Sequence, residues 1–420
     1  MELKPGYKLT EVGVIPEDWD VRKLPEVSWF QEGPGLRNWQ FTGSGMKVIN
    51  ITNLENGVLN LERTDRYISI TEFNQTYKHF AIDAADILMA SSGNSYGKTS
   101  VVRHEDLPLV MNTSVIRFKP IGVIESNFLW AILNAPLFKN QIDLMITGGA
   151  QPNFGPYHLK RVNVPLPPLP EQRSIATALS DMDELLGGLD RLITKKRDLK
   201  QSAMQQLLTG KTRLLEFGEG KGYKQTELGL IPEDWEIKKL GTVTSYRNGV
   251  AHEQSINESG KFVVVNSKFI STEGLIRKYS NDCFCLAAID DVLMVMSDVP
   301  NGRAIAKCFW VESDNTFTIN QRVCILSPCN VNGKLLFYKL DRNPFYLAFD
   351  DGAKQTNLRK SDVLSCPLVL PMLVEEQTAI ASILSDMDTE IATLEQRRNK
   401  TRDLKQAMMQ ELLTGRIRLL

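Results

Sequence analysis

The residues best suited by type to do chemistry stand at Ser91–Ser100, "SSGNSYGKTS", which ends in Gly-Lys-Thr. A loop that cradles nucleotide phosphates ends that way, with backbone N–H groups, a lysine and a magnesium-binding hydroxyl. Such a loop needs a glycine five places before the Gly-Lys pair; Ser92 stands there, and Gly93 comes one place too late. It must also open a helix, whereas "TSVVRH" follows, a β-branched run that reads as strand. The six cysteines, Cys283, Cys285, Cys308, Cys324, Cys329 and Cys366, contain no CxxC pair and read as packing residues. The four histidines, His79, His104, His158 and His252, show neither metal-ligand spacing nor a catalytic triad.

Two further stretches come close to methyltransferase chemistry and miss it. "FTGSG" from Phe41 has the glycine spacing of an S-adenosylmethionine loop, but "MKVINITNL" continues it as strand rather than helix. "NPFY" from Asn343 is one residue away from the Asn-Pro-Pro-Tyr of adenine methylation, with Phe345 in place of the second proline. The sequence therefore predicts no catalytic residues, no metal and no cofactor bound by this chain.

The elements that position these residues are written twice. "EVGVIPEDWDVRKL" from Glu11 returns as "ELGLIPEDWEIKKL" from Glu227, and "LLTGKTRLL" from Leu207 returns as "LLTGRIRLL" from Leu412. The stretches between these anchors diverge, but their patterns stay parallel. "DILMASSGNSYGK" matches "DVLMVMSDVPNGR", placing Gly97 opposite Gly302 and Lys98 opposite Arg303. The second copy has alanine where the first has Thr99, so the hydroxyl a nucleotide site needs is missing. The shared feature is a glycine turn presenting a cation, which suits a DNA backbone or base edge. Short strands with turns, plus one or two helices per copy, give an α+β domain of roughly 150 residues in each half.

Between the halves the pattern changes. After Pro165, Pro167, Pro168 and Pro170, apolar residues recur four and three apart at Ile175, Leu179, Met182, Leu186, Leu189 and Ile193, then at Leu199, Ala203 and Leu207. The second copy runs Ile380, Leu384, Met387, Ile391 and Leu394, then Leu404, Met408 and Leu412. The spacing predicts a helix from Glu171 to Leu208, about 57 Å long at 1.5 Å per residue. One apolar seam on so long a helix needs a partner, and the other copy supplies it as an antiparallel coiled coil. Gly187 and Gly188 interrupt the first helix, as a close approach of another backbone would require. The expected segments are 1–165 and 216–369 for the globular domains, with 166–215 and 370–420 for the long helices.

The 420 residues carry 49 basic and 50 acidic side chains, a net charge of −1, so DNA contact needs cations gathered on one face or a basic partner. No apolar run approaches a membrane span, no signal peptide opens the chain, and a reduced cytoplasmic location is expected.

"GVIPEDW" and "GLIPEDW" opening the two halves, "PLPPLPEQRSIATALSDMD", "LVEEQTAIASILSDMD" and the twin "LLTG" endings resemble the specificity subunit of type I restriction-modification systems. The likeness covers the whole chain in both copies and in order. It departs mainly at "LPMLVEEQ" from Leu370, which has one extra residue and fewer prolines. The resemblance implies two α/β target recognition domains, each reading half of a bipartite, asymmetric double-stranded DNA target. It implies that two long antiparallel helices set the spacing and dock two modification (methyltransferase) subunits, with twofold pseudosymmetry. S-adenosylmethionine, ATP and magnesium would serve those partners and the restriction subunits, not this chain. The alternatives are a specificity protein of a combined restriction-methylation system, or a decayed decoy or assembly subunit.

Polar and stacking side chains beside predicted turns are the candidate DNA contacts. In the first half these are Arg37, Asn38, Gln40, Ser92, Asn94, Tyr96 and Lys98, flanked by Gln151 and Asn153. In the second they are Arg247, Asn248, His252, Asn301 and Arg303, with Lys354, Gln355 and Asn357. Leu179, Met182 and Leu189 on one helix, with Leu384, Met387 and Leu394 on the other, are the candidate helix and subunit interface.

Overall fold

The computed structural model describes residues 3–55, 57–146, 152–220, 222–299, 302–313 and 316–419. The chain divides into two compact units, Met1–Asp190 with Gln396–Leu420, and Arg191–Glu395. Each unit therefore contains one globular half, the first part of one long helix and the last part of the other.

In the first unit a four-stranded antiparallel sheet runs in the order Thr99–Val101, Ile87–Ala90, Val115–Pro120, Ser28–Glu32. A three-stranded sheet sets Met46–Ile49 between Leu109–Met111, to which it is parallel, and Tyr67–Ile68. The second unit repeats both. Its four strands are Thr244–Asn248, Val323–Pro328, Val292–Val295 and Cys308–Trp310, and Phe262–Val265 lies parallel to Phe317–Ile319 and beside Tyr279–Ser280. Ile87–Ala90 and Val292–Val295 are buried on both faces, which is why they read as unbroken apolar runs rather than alternating ones. Pro136 and Pro344 each open a new helix, Pro136–Met145 and Pro344–Leu347.

The repeated anchor motifs touch each other. In the first unit the fully buried Trp19 donates its indole N–H to Glu171 Oε2 at 2.9 Å. Arg418 completes the cluster with two-pronged contacts to Glu171 (2.7 and 2.8 Å) and Asp18 (2.9 and 2.7 Å). In the second unit Trp235 donates to Glu376 at 3.2 Å, while Arg213 grips Glu376 (2.9 and 2.7 Å) and Asp234 (2.8 and 3.3 Å). Gly415 and Gly210 end the long helices in the left-handed region and lie against Pro16 and Pro232, where a side chain would collide. The "IPEDW", "LLTG" and helix-opening glutamate motifs thus build one clamp per unit. Each clamp pairs a buried indole with a buried carboxylate and satisfies both.

The long helices run Leu169–Thr209 and Val374–Leu412. The first starts two residues before the expected Glu171, because Pro170 sits in the first turn, where no N–H is required. Pro165 lies in the short strand Asn163–Leu166, paired with Asp20–Lys23. Within each unit the two helix segments run antiparallel. In the first unit Asp183 pairs with Lys405 at 2.5 Å and Asp190, a heptad on, pairs with Arg398, a heptad back, at 3.4 Å. In the second unit Lys200 pairs with Asp388, the repeat-equivalent of the Lys405–Asp183 pair, and Lys196 with Glu390 at 2.6 Å.

Leu179 and Leu384 are buried, and they pack into the globular cores beside Met409 and Leu412 or Leu207 as much as along a seam. Leu189 is buried, and Met182, Met387 and Leu394 are half-buried. Leu199 and Leu404 depart from the expected seam, being 46% and 55% exposed. At roughly 100° per residue, the ten residues from Leu189 turn Leu199 about 80° off the seam, whereas Leu207 returns to it. A side chain added at Gly188 would meet nothing within 4 Å among the described residues, so no close approach there calls for a glycine.

Candidate nucleic-acid interface

The glycine turn of the first half joins two antiparallel strands, Ile87–Ala90 and Thr99–Val101, so it opens no helix. Thr99 is buried, its hydroxyl donating to Asn134 Oδ1 at 2.6 Å, so its oxygen is closed off from a magnesium ion at the surface. Gly93 and Gly97 take left-handed φ of 65° and 77°, which tightens the turn and leaves Asn94 and Lys98 exposed at its tip. Ser92 forms an isolated antiparallel bridge with Asn153, which draws the later flank beside the turn.

The second half repeats that bridge as the pairing of Ser297 with Asn357 and Asp298 with Thr356. Asp298 accepts the backbone N–H groups of Val299, Ala304 and Ile305 at 2.9, 2.6 and 3.2 Å and so shapes the loop leading to the exposed Arg303. Gly302 lies against that carboxylate with no room for a side chain. Matching glycines therefore serve different needs: positive φ at Gly97, close approach at Gly302.

Asn248, Ser297, Gln355 and Asn357 line one polar depression of about 350 Å³ with Gln321, Arg322 and Lys360. Gln355 donates to Ser297 Oγ at 2.7 Å and Asn248 accepts from Tyr246 OH at 2.6 Å. Amide and guanidinium groups on such a surface offer the paired donors and acceptors that read base edges. Lys354 is exposed just before this strand. In the first unit Arg37 and Asn38 are exposed at the short turn Asn38–Gln40.

Four candidates have partners within the fold, and two of them, Gln40 and His252, are corrected by burial. Gln40 is buried, accepts from Arg37 N–H at 2.7 Å and donates to Glu72 and Tyr77 OH at 2.6 and 2.9 Å. His252 is 1% exposed and bonded through both ring nitrogens, to Val250 O and Thr318 Oγ1. Tyr96 donates to Asp143 at 2.6 Å and packs edge-on against Phe154; burial first, then Asp143, pushes its phenol above the usual range. Arg247 neutralises the buried Asp291 at 3.2 Å and donates to Leu286 O. Gln40 and His252 are turned inward, whereas Tyr96 is half-buried and Arg247 stays exposed. Gln151 and Asn301 lie outside the described residues.

The sequence reading missed Trp39, 81% exposed beside Arg37, and also Gln321, Arg322 and Lys360. The difference was present in the repeat: "NQRV" from Asn320 stands opposite "NTSV" from Asn112, so Arg322 has a serine as its counterpart. Cys308, Cys324 and Cys366 are buried, and burial pushes the Cys324 thiol up to about 12, which suits packing. Among the described residues no His, Cys, Asp and Glu group is arranged to hold a metal, and no helix is long and apolar enough to cross a membrane.

Comparison with known proteins bears on this geometry. The family described as type I restriction modification DNA specificity domain matches residues 16–195 and again 232–401. The type I restriction enzyme MjaVIII specificity subunit of Methanocaldococcus jannaschii is 24% identical over 424 residues, covering 96% of this chain and 94% of that protein. The EcoKI specificity subunit of Escherichia coli K12 is 25% identical over 59% of this chain and 53% of its own length. In fold, the chain resembles the type I restriction-modification S subunit from M. genitalium, with a TM-score of 0.57, 16% identity and coverage of 98% and 99%. It also resembles a chain solved in work on complex assembly of the type I R-M system, with a TM-score of 0.60, 18% identity and coverage of 96% and 99%.

Proposed function

The chain belongs to the type I restriction-modification DNA specificity family, and we propose that it is the non-catalytic, sequence-reading subunit of a type I restriction-modification complex. The observation that carries this reading is the repeated bridge, Ser92 with Asn153 and Ser297 with Asn357, set beside a glycine turn in both units. One frame is used twice and bears different side chains, as two half-sites of different sequence require.

In this reading the domains at 1–165 and 216–369 each hold one half of a bipartite, asymmetric duplex target. Base contacts come from Asn248, Gln355 and Asn357 in the second, and from Ser92, Asn94, Lys98 and Asn153 in the first, with Arg37 and Asn38 nearby. Arg303 and Lys354 add phosphate contacts. The helical segments 166–215 and 370–420 act as spacer and docking platform for two modification subunits. Leu404 in the first unit and Leu199 in the second, exposed at repeat-equivalent positions, support two equivalent contacts. S-adenosylmethionine is bound by those modification subunits, and ATP and magnesium by the restriction subunits, all in the cytoplasm.

Nuclease footprinting of the chain assembled with its modification subunits tests this. Two protected half-sites should appear, their centres about 34 Å apart, one helical turn. One continuous protected patch would contradict the reading.

A further inference from the structure

We propose that the second unit carries a phosphodiester-binding site that the first unit lacks, in the depression lined by Lys268, Lys278 and Arg322. The proposal rests on the DNA-reading role above and adds where the backbone is gripped. The depression measures about 410 Å³ and adjoins the polar one that holds Gln355 and Asn357, because Gln321 and Arg322 line both. A duplex whose base edges face the one would pass its backbone over the other.

The three cations come from separate elements: the helix Ser267–Ser271, the residue before Tyr279–Ser280, and the turn between Phe317–Ile319 and Val323–Pro328. All three are exposed and none forms an ion pair among the described residues. Converging like charges repel one another, so an anion there is stabilised by all of them. The hydroxyl oxygen of Ser267, in the same lining, is buried and has no hydrogen-bond partner among the described residues. Glu253 stands at the rim with its carboxylate toward Asn320 Nδ2 (3.4 Å) and Gln321 Nε2 (3.5 Å). It is one negative charge against three positive.

The first unit has the same backbone with its cations placed differently. Val48 N–H bonds Arg66 O at 2.9 Å as Val264 N–H bonds Lys278 O at 2.8 Å, and Asn112 bonds Ile49 as Asn320 bonds Val265. These register marks place Ile51 at Ser267, Thr52 at Lys268 and Ser114 at Arg322. Only Arg66 keeps a cation, and it lies over the Phe41 ring at 5.1 Å. Arg37 stands where the second unit has Glu253, with Gly33 and Gly249 as the register marks, so the three-cation cluster belongs to the second unit while the first places its cations elsewhere.

The test measures the salt dependence of duplex affinity for the chain assembled with its modification subunits. Each phosphate contact contributes about 0.9 to the slope of log affinity against log salt. Lys268→Gln, Lys278→Gln and Arg322→Gln together should lower that slope by about 2–3, and Lys268→Gln with Lys278→Gln alone by about 2 while preserving the preference for cognate over scrambled duplex. Arg66→Gln in the first unit should lower it by about 1 or less. An unchanged slope in the folded triple variant overturns the site, and an equal loss in Arg66→Gln overturns the asymmetry. Inorganic phosphate that raises the thermal midpoint of the wild type but not the triple variant, with slopes unchanged, would make it a free-anion site and overturn the phosphodiester assignment. A wild type with no cognate preference would instead sink the DNA-reading role itself.

Discussion

Asn357 lies opposite Ser297 in a two-residue antiparallel pairing that fixes the wall of the polar depression in the second unit. The amide of Gln355 is held by the Ser297 hydroxyl at 2.7 Å, while Asn357 is exposed. Gln355→Ala with Asn357→Ala should therefore cost about 1–3 kcal/mol of base discrimination per lost bidentate contact. The loss should fall on one half-site only, as read by binding competition between duplexes mutated in either half. Equal losses in both halves would be inconsistent with separate readers.

The Arg213 clamp should carry much of the stability of the second unit. Its guanidinium is buried against Glu376, which is 1% exposed, so Arg213→Ala strands a carboxylate and should cost about 3–5 kcal/mol. Arg213→Lys should recover only part, because a single ammonium cannot replace the two-pronged grip. Limited proteolysis should show the second unit, Arg191–Glu395, cleaved well before the first. Uniform cleavage would contradict this assignment.

How much of this was legible beforehand differs by feature. The repeat and the long helices were plain, because helical periodicity and matched motifs are local. That "IPEDW" and "LLTG" meet in a clamp was not, since Arg418 and Asp18 lie at opposite ends of the chain. Candidate contacts were harder. Gln40 and His252 have the right chemistry, yet both are turned inward by partners brought from distant segments, Glu72 and Thr318. Conversely, Arg322 becomes visible only when the turn after Phe317–Ile319 is placed beside Gln355.

Lys339 predicts a pH effect. It is buried, its ammonium donating to Leu208 O at 2.6 Å near the end of the first long helix, and burial pulls it down to about 7. The carbonyl and the face of Trp235, 5.6 Å away, oppose that shift without cancelling it. A lysine depressed below its unfolded value of about 10.4 binds fewer protons when folded, so its contribution to stability rises with pH between about 7 and 10. The first unit has a buried alanine, Ala131, at the matching place, so a neutral side chain fits. Thermal midpoints of wild type minus Lys339→Met should climb through that window. A difference independent of pH would refute the buried charge.

Leu199 and Leu404 separate docking from folding. Being exposed, each changed to Lys should alter stability by no more than about 0.5 kcal/mol. Co-purified modification subunit should fall by one copy per substitution. Leu189→Asp, at a buried position, should instead unfold the helix pair, and an intact complex carrying it would contradict the pairing.

The most direct test of the central claim, that one repeated frame reads two half-sites at a distance set by helix length, is a methylome. Long-read sequencing of a host expressing this chain with its partners should show adenine methylation at a bipartite motif with unspecified bases between the halves. Gly210 packs tightly against Pro232, so lengthening belongs mid-helix, with four residues added after Arg191 and four after Arg397. That adds about 6 Å and should widen the gap by about one or two base pairs, at 3.4 Å per step, leaving the bases of each half unchanged. An undivided motif, or altered half-site bases at an unchanged spacing, would contradict the account.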